Sequence, residues 1–240
     1  MGIISNIAYL MINEGKRRSF SGRILQLGKQ SLYLTYRQLK NLADQMDFSL
    51  SPAVPSNIDL KLDDKSFFHA LGFAEVQSLE FSTTEGADYT WDLNIPISQE
   101  LDSKFDMVYD GGTLEHVFNL PVALSNICKM LKIEGRIIHD SPTSGYLDHG
   151  FTSLQPTLFY DFYSAQNFEV NNIQISKLRL DTVFTQVGEH STYVPGMYDF
   201  EKTWAIDQHV YMTFCAATKR EVFHQMKVPQ QSIWLRASRV

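Results

Sequence analysis

Two kinds of hydrophobic spacing alternate along the chain. Residues 3–15 put Ile4, Ile7, Ala8, Leu10 and Met11 on one helical stripe, so a short amphipathic helix is predicted there, within an N-terminal segment of residues 1–20. Gly22 to Gly28 is a compact apolar run closed by glycine, which reads as a buried strand, and Leu32 to Met46 returns to helical spacing. Leu50 to Asp64, with Pro52 and Pro55 among Ser, Asn and Asp, reads as a loop excursion. Asp64 to Gly72 carries a capping aspartate, an apolar stripe and a terminal glycine, the start and stop of a helix.

The rhythm then repeats. Glu75–Phe81, a shorter Ala87–Leu93 and Phe105–Asp110 are strand-like, the last ending in Gly111-Gly112. Leu120–Leu131 is a helix with Val122, Ala123, Ile127, Cys128, Met130 and Leu131 as its apolar set, and Gly135–His139 opens the next strand. Pro156–Asn167 is a helix with proline in its first turn, followed by strands over Phe168–Ile175 and His209–Thr218. Strands alternating with helices predict one α/β domain over residues 1–240, a mostly parallel sheet of seven strands with helices on both faces. In such sheets ligands bind beyond the carboxyl ends of the strands, near the point where strand order reverses. The residues that follow each strand are therefore the ones to inspect.

Composition narrows the function classes. With 240 residues, 44% of them hydrophobic, the chain can bury one sizeable core. Its 27 acidic against 21 basic residues, net charge -6, argue against a nucleic-acid backbone as partner, and no apolar run is long enough for a membrane span. Cys128 and Cys215, far apart, form neither a zinc motif nor a disulfide framework and read as buried thiols in a reducing compartment. At the N-terminus the charges follow the apolar stretch, the wrong order for a secretory signal. Gly2 is followed at position six by Asn6, where myristoylation wants a hydroxyl. A cytoplasmic protein is expected.

The string Phe105-Asp-Met-Val-Tyr-Asp-Gly-Gly-Thr-Leu-Glu-His-Val117, a helix, and then Leu131-Lys-Ile-Glu-Gly-Arg-Ile-Ile138 resemble the class I S-adenosylmethionine-dependent methyltransferases from the fourth strand to the entry of the fifth. The likeness runs from about Gly22 to Val170, and Leu114-Glu-His-Val117 is similar to the branch that methylates quinones and small phenols. The resemblance implies a Rossmann-like fold, S-adenosylmethionine as cofactor and a small-molecule acceptor. It places Glu80, with Phe81, on the ribose diol, since one carboxylate can accept from two hydroxyls. Asp92 and Leu93 fall at the adenine. Asp110, Gly111, Gly112 and the loop Gly28-Lys29-Gln30 fall at the methionine end, where glycine lets backbone approach a ligand. Each also has an ordinary reading: Glu80 as a solvated strand end, Asp92 as a turn cap with Asn94, the glycine pair as a tight turn.

The first strand departs from the family. Where an acidic residue and two glycines are usual, this chain has Gln26-Leu-Gly28-Lys-Gln30, so a side chain stands at the second glycine position and the loop must narrow or take another path. That departure keeps a second function in view, a methyltransferase-like binding or scaffold module without catalysis.

Transfer to an oxygen needs positioning and a general base, most often histidine. His116, His139 and His149 fall on the predicted ligand face; His149 and His116 are the candidate bases, with Asp148 as orienting or acid–base partner. In the quinone-methylating relatives Glu115 and His116 would answer to metal ligands, but Gly112 stands where a further carboxylate is expected, so no metal is expected. The second half is rich in aromatics (Tyr146, Phe151, Phe159, Tyr160, Phe162, Tyr163, Tyr193, Tyr198, Trp204), of which Phe159 and Phe162 read as helix core. Residues 186–204, rich in Gly, Pro and Tyr, are expected to cover the acceptor site. A homodimer through the N-terminal helix or the tail Ser232–Val240 is the candidate assembly.

Overall fold

The computed structural model describes residues 2–51, 57–197 and 209–233. Among the described residues, ten strands and five helices follow one another: β1 (Gly2–Ile3), α1 (Ser5–Arg17), β2 (Arg23–Leu27), β3 (Ser31–Leu32), α2 (Tyr36–Gln45), α3 (Asp64–Leu71), β4 (Glu75–Glu80), β5 (Tyr89–Thr90), β6 (Phe105–Asp110), α4 (Leu120–Met130), β7 (Leu131–Ser144), α5 (Pro156–Ala165), β8 (Phe168–Arg179), β9 (Glu189–Thr192) and β10 (His209–Lys219). The main sheet has eight strands in the order β5-β4-β2-β6-β7-β10-β8-β9. From β5 to β7 all pairings are parallel, while β10 runs antiparallel to both of its neighbours and β9 antiparallel to β8. The chain starts at β2, builds outward through β4 to β5, then returns to β6 on the other side of β2. The reversal of strand order therefore falls between β2 and β6.

The period-2 alternation of the central strands sorts side chains into two cores. Ile24, Met107, Tyr109, Ile138 and Phe214 face one side, where Ile7, Leu10 and Met11 of α1, Leu39 of α2 and Phe67 and Phe68 of α3 cover them. Leu25, Val108, Ile137 and Cys215 face the other, beneath Leu124 and Ile127 of α4 and Phe159 and Phe162 of α5. This is the expected parallel sheet with helices on both faces. Burying one such large apolar side chain contributes about 1.5–3 kcal/mol.

The sequence-predicted elements are displaced where pairing across the fold decides. Ile3 leaves the predicted helix and, with Gly2, pairs with Ser31 and Leu32, so α1 starts at Ser5. The expected seven strands become eight because Glu189–Thr192, inside the proposed covering segment, pairs with β8. The rest of that segment past 197, with Tyr198 and Trp204, lies outside the described residues, as do Pro52, Pro55 and most of the Ser232–Val240 tail. Asn6, Ile7, Ala8, Leu10, Met11 and Ile12 of α1 are buried within the chain itself. No described helix is long and apolar enough to cross a membrane.

Candidate functional site

A cleft of about 410 Å³ opens at the carboxyl ends of β2 and β4 and beside the turn after β6, at the reversal of strand order. Its floor is backbone. Gly28 sits at φ +74, donates its N–H to the Leu79 carbonyl at 2.8 Å and abuts Thr113, whose hydroxyl donates to the Leu27 carbonyl at 2.6 Å. A Cβ on Gly28 would lie 2.8 Å from that hydroxyl, so glycine is required both by φ and by space. Gly112, at φ +83, forms part of the same floor.

The adenosyl-side residues of the sequence reading come together here. Glu80, Phe81, Asp92 and Leu93 all line the cleft, with Phe81 exposed at its rim. Glu80 Oε1 accepts the Lys29 amide at 2.6 Å. Asp92 Oδ1 accepts both the backbone and side-chain N–H groups of Asn94 at 2.8 Å. The turn-cap reading and the cleft-lining reading of Asp92 thus hold together. Trp91, which sequence reasoning did not single out, brings a buried and unpartnered indole N–H to the same wall. Its signal was its position just ahead of Asp92 at a strand end.

The methionine-side residues divide. Lys29 lines the cleft, yet its ammonium donates to the Glu85 carbonyl at 3.1 Å. Gln30 folds back, donating to the Gly28 carbonyl at 3.0 Å, while its amide N–H meets Gln26 Oε1 at 3.3 Å. Gln26, at the place of the usual acid, donates to Asp64 at 2.6 Å. The chain continues into β3 and is held by β1, which is the altered loop path that Gln30 required. Two residues do not take the place expected for them. Asp110 is wholly buried: Oδ1 accepts the amides of Thr113 and Leu114 at 3.0 and 3.2 Å, and Oδ2 lies 2.7 Å from His139 Nδ1. Gly111 makes room for Gln30, whose Oε1 would be 2.6 Å from a Cβ there. Both serve the turn beneath the cleft, and neither lines it.

His139 is likewise interior, with Nε2 2.7 Å from the Tyr163 hydroxyl and its ring stacked on Phe159, so it has no path to a ligand. Phe159 and Phe162 are core, as expected. His116, at the end of the 3-10 turn Leu114–His116, lines the cleft; burial and then the nearby His149 lower its pKa. His149 lies on the loop after β7, which is stitched to the same turn where the Phe151 and Thr152 amides donate to the Glu115 carbonyl at 2.8 and 3.3 Å. The two imidazoles are neighbours, tilted 59° to each other with centroids 5.1 Å apart. Asp148 is exposed at φ +59, and no hydrogen bond or ion pair joins it to His149 among the described residues. The carboxylate beside His149 is Glu115, at 3.6 Å, so Asp148 is not the orienting partner.

Glu115 is wholly buried with neither oxygen hydrogen-bonded, and burial together with Asp110 pushes its pKa up to about 8. Asp140, on β7, is also buried with both oxygens unpartnered, and its pKa is raised by burial and then by Glu115. Sequence reasoning marked Asp140 only as a strand-end residue to inspect and gave it no role, although it stands where the core of a strand meets its ligand end. The arrangement joins a backbone-floored cleft to a desolvated, histidine-flanked acidic corner.

No protein-family model matches the sequence, and no match was found among curated proteins. Solved structures do resemble it at low identity. An S-adenosylmethionine-dependent methyltransferase of Thermotoga maritima is 14% identical over 90% of this chain and 91% of its own, at a TM-score of 0.43. The YcgJ protein of Bacillus subtilis is 11% identical over 89% and 98%, at 0.47. Phosphoethanolamine N-methyltransferase 2 of Haemonchus contortus, solved with S-adenosyl-L-methionine, is 11% identical over 90% and 53%, at 0.44. Strand order, the reversal between β2 and β6 and helices on both faces make this a Rossmann-like, doubly wound α/β fold.

Proposed function

We propose that the chain is an S-adenosylmethionine-dependent methyltransferase that acts on a small-molecule acceptor, transferring the methyl group to an oxygen whose deprotonation His116 and His149 assist. One observation carries this reading: Gly28, Glu80, Asp92 and Gly112 line a single cleft at the reversal of strand order, with His116 at its end. Glu80 gives one oxygen to the Lys29 amide and keeps acceptor capacity for a ribose diol. The exposed Phe81 ring and the Trp91 N–H suit a purine that needs an apolar face and a donor. Beyond His116, the acceptor oxygen would attack the methyl carbon in line; the carbon–sulfur bond breaks with its electrons going to sulfur, and the acceptor proton leaves.

A second reading, a module of this fold without catalysis, is favoured by the first loop, where Gln30 fills the space a second glycine would leave. Calorimetry with S-adenosylmethionine and with its demethylated product separates the two. Single-site binding is expected, weakened about tenfold or more by Glu80→Ala, because a hydrogen bond to a charged group contributes about 1.5–3 kcal/mol. No heat at millimolar ligand would overturn the enzyme reading in favour of the module.

A further inference from the structure

We propose that Glu115, His116 and His149 bind a single late first-row divalent metal ion of the Zn²⁺ class beside the cleft, which His116 lines. One ligand atom from each lies within 4.8 Å of the others. Glu115 Oε1 is 3.9 Å from His116 Nε2 and 3.6 Å from His149 Nε2. In a tetrahedral site with ligand bonds near 2.1 Å, neighbouring ligand atoms stand about 3.4 Å apart, so the present spacing needs a contraction on the order of 1 Å. The histidines retain the freedom for it, with side chains 47% and 33% exposed, while the carboxylate is fixed in the interior.

The independent sign of a cation is Glu115 itself. A wholly buried carboxylate with both oxygens unpartnered is an expensive arrangement. Among the described residues no lysine or arginine pairs with it, and the buried Asp140 adds a second acidic group with no hydrogen-bond partner. His149 Nε2 is buried and unpartnered too, on the side nearest Glu115. A metal ion would satisfy these atoms at once. The resemblance argued against a site, because Gly112 stands where it implies a further carboxylate ligand. The fold supplies a different third ligand, His149, by stitching the loop after β7 onto the Glu115 carbonyl. That exchange also sets the metal: two imidazoles and one carboxylate favour a borderline ion such as Zn²⁺ over hard, oxygen-seeking Mg²⁺.

The binding claim stands apart from the methyltransferase reading, but the role of the ion rests on it. Where the cleft holds the adenosyl donor, a bound ion faces the acceptor side. The histidines then assist deprotonation through it, lowering the pKa of an acceptor oxygen that releases its proton to solvent, and no longer serve as free bases.

The test is titration of chelator-treated protein with Zn²⁺ by calorimetry and with Co²⁺ by visible absorption. One ion per chain is expected at micromolar affinity or better, with cobalt bands typical of nitrogen and oxygen ligation. Both His149→Ala, on an exposed loop, and Glu115→Gln should weaken Zn²⁺ at least tenfold, and Mg²⁺ should not compete. Zn²⁺ binding that His149→Ala leaves unchanged would overturn the site, as would its absence from folded protein; equal competition by Mg²⁺ would overturn the metal class. Binding of the demethylated cofactor product, measured separately, distinguishes failure of this site from failure of the methyltransferase reading.

Discussion

Gly28 forms part of the cleft floor. Its φ of +74 strains any L side chain, and a Cβ would press on the Thr113 hydroxyl that holds the Leu27 carbonyl. Gly28→Ala is expected to cost about 1–2 kcal/mol in urea unfolding and to weaken the demethylated cofactor product at least tenfold; an unchanged affinity would remove the loop from the site. The cysteines make a second residue-level case. Both are fully buried, and burial pushes both thiols up, so the native protein should not react with a thiol reagent, while the urea-unfolded chain should release two equivalents. Residue types at strand ends made Gly28, Glu80, Asp92 and Gly112 legible in advance. Asp110 and His139 misled because type and position were right while orientation was not: the pleat turns both inward, where they bond each other and the turn after β6. Only a tertiary contact, the loop after β7 resting on Glu115, could reveal the pairing of His149 with that carboxylate.

At the scale of elements, α1 is fastened to the sheet by an interior ion pair. Glu14 Oε1 lies 2.8 Å from Arg136 Nη1 on β7, and Arg136 also donates to the Arg18 and Ser19 carbonyls. Burial opposes the charge on both partners, raising Glu14 and lowering Arg136. Arg136→Met should therefore cost about 3–5 kcal/mol by stranding the carboxylate, and Glu14→Leu added to it should recover most of the loss in urea midpoint. Helix α3 is capped locally by Asp63, one residue ahead of the Asp64 at which the sequence reading began the helix, and Asp63 accepts the Ser66 amide at 2.8 Å. Burial alone would raise its pKa, but the Ser66 amide and hydroxyl outweigh that and lower it. The cap's contribution is thus present at neutral pH and fades as pH falls through the lowered pKa. Asp63→Ala should cost about 1 kcal/mol at pH 7, with the gap to wild type closing in the acid limb of unfolding. Helices with caps and stripes were readable for this local reason. β1 and the full length of β7 were not, because their partners are remote: Ser31–Leu32 and β10 supply the hydrogen bonds that extend them.

Across the whole molecule, alternation of strand and helix was enough to specify a parallel sheet with two covered faces, and with it the edge where a ligand belongs. It did not specify that β10 runs antiparallel between β7 and β8, since alternation carries no direction. The reversal of order between β2 and β6 converts scattered strand ends into one cleft, and the account depends on what that cleft accepts. A crystal structure of the protein with the demethylated product of S-adenosylmethionine tests this most directly. The account predicts the Glu80 carboxylate within hydrogen-bond distance of the ribose hydroxyls and the purine between Phe81 and Asp92. A nucleoside bound away from Glu80, or an empty cleft at saturating ligand, would contradict it.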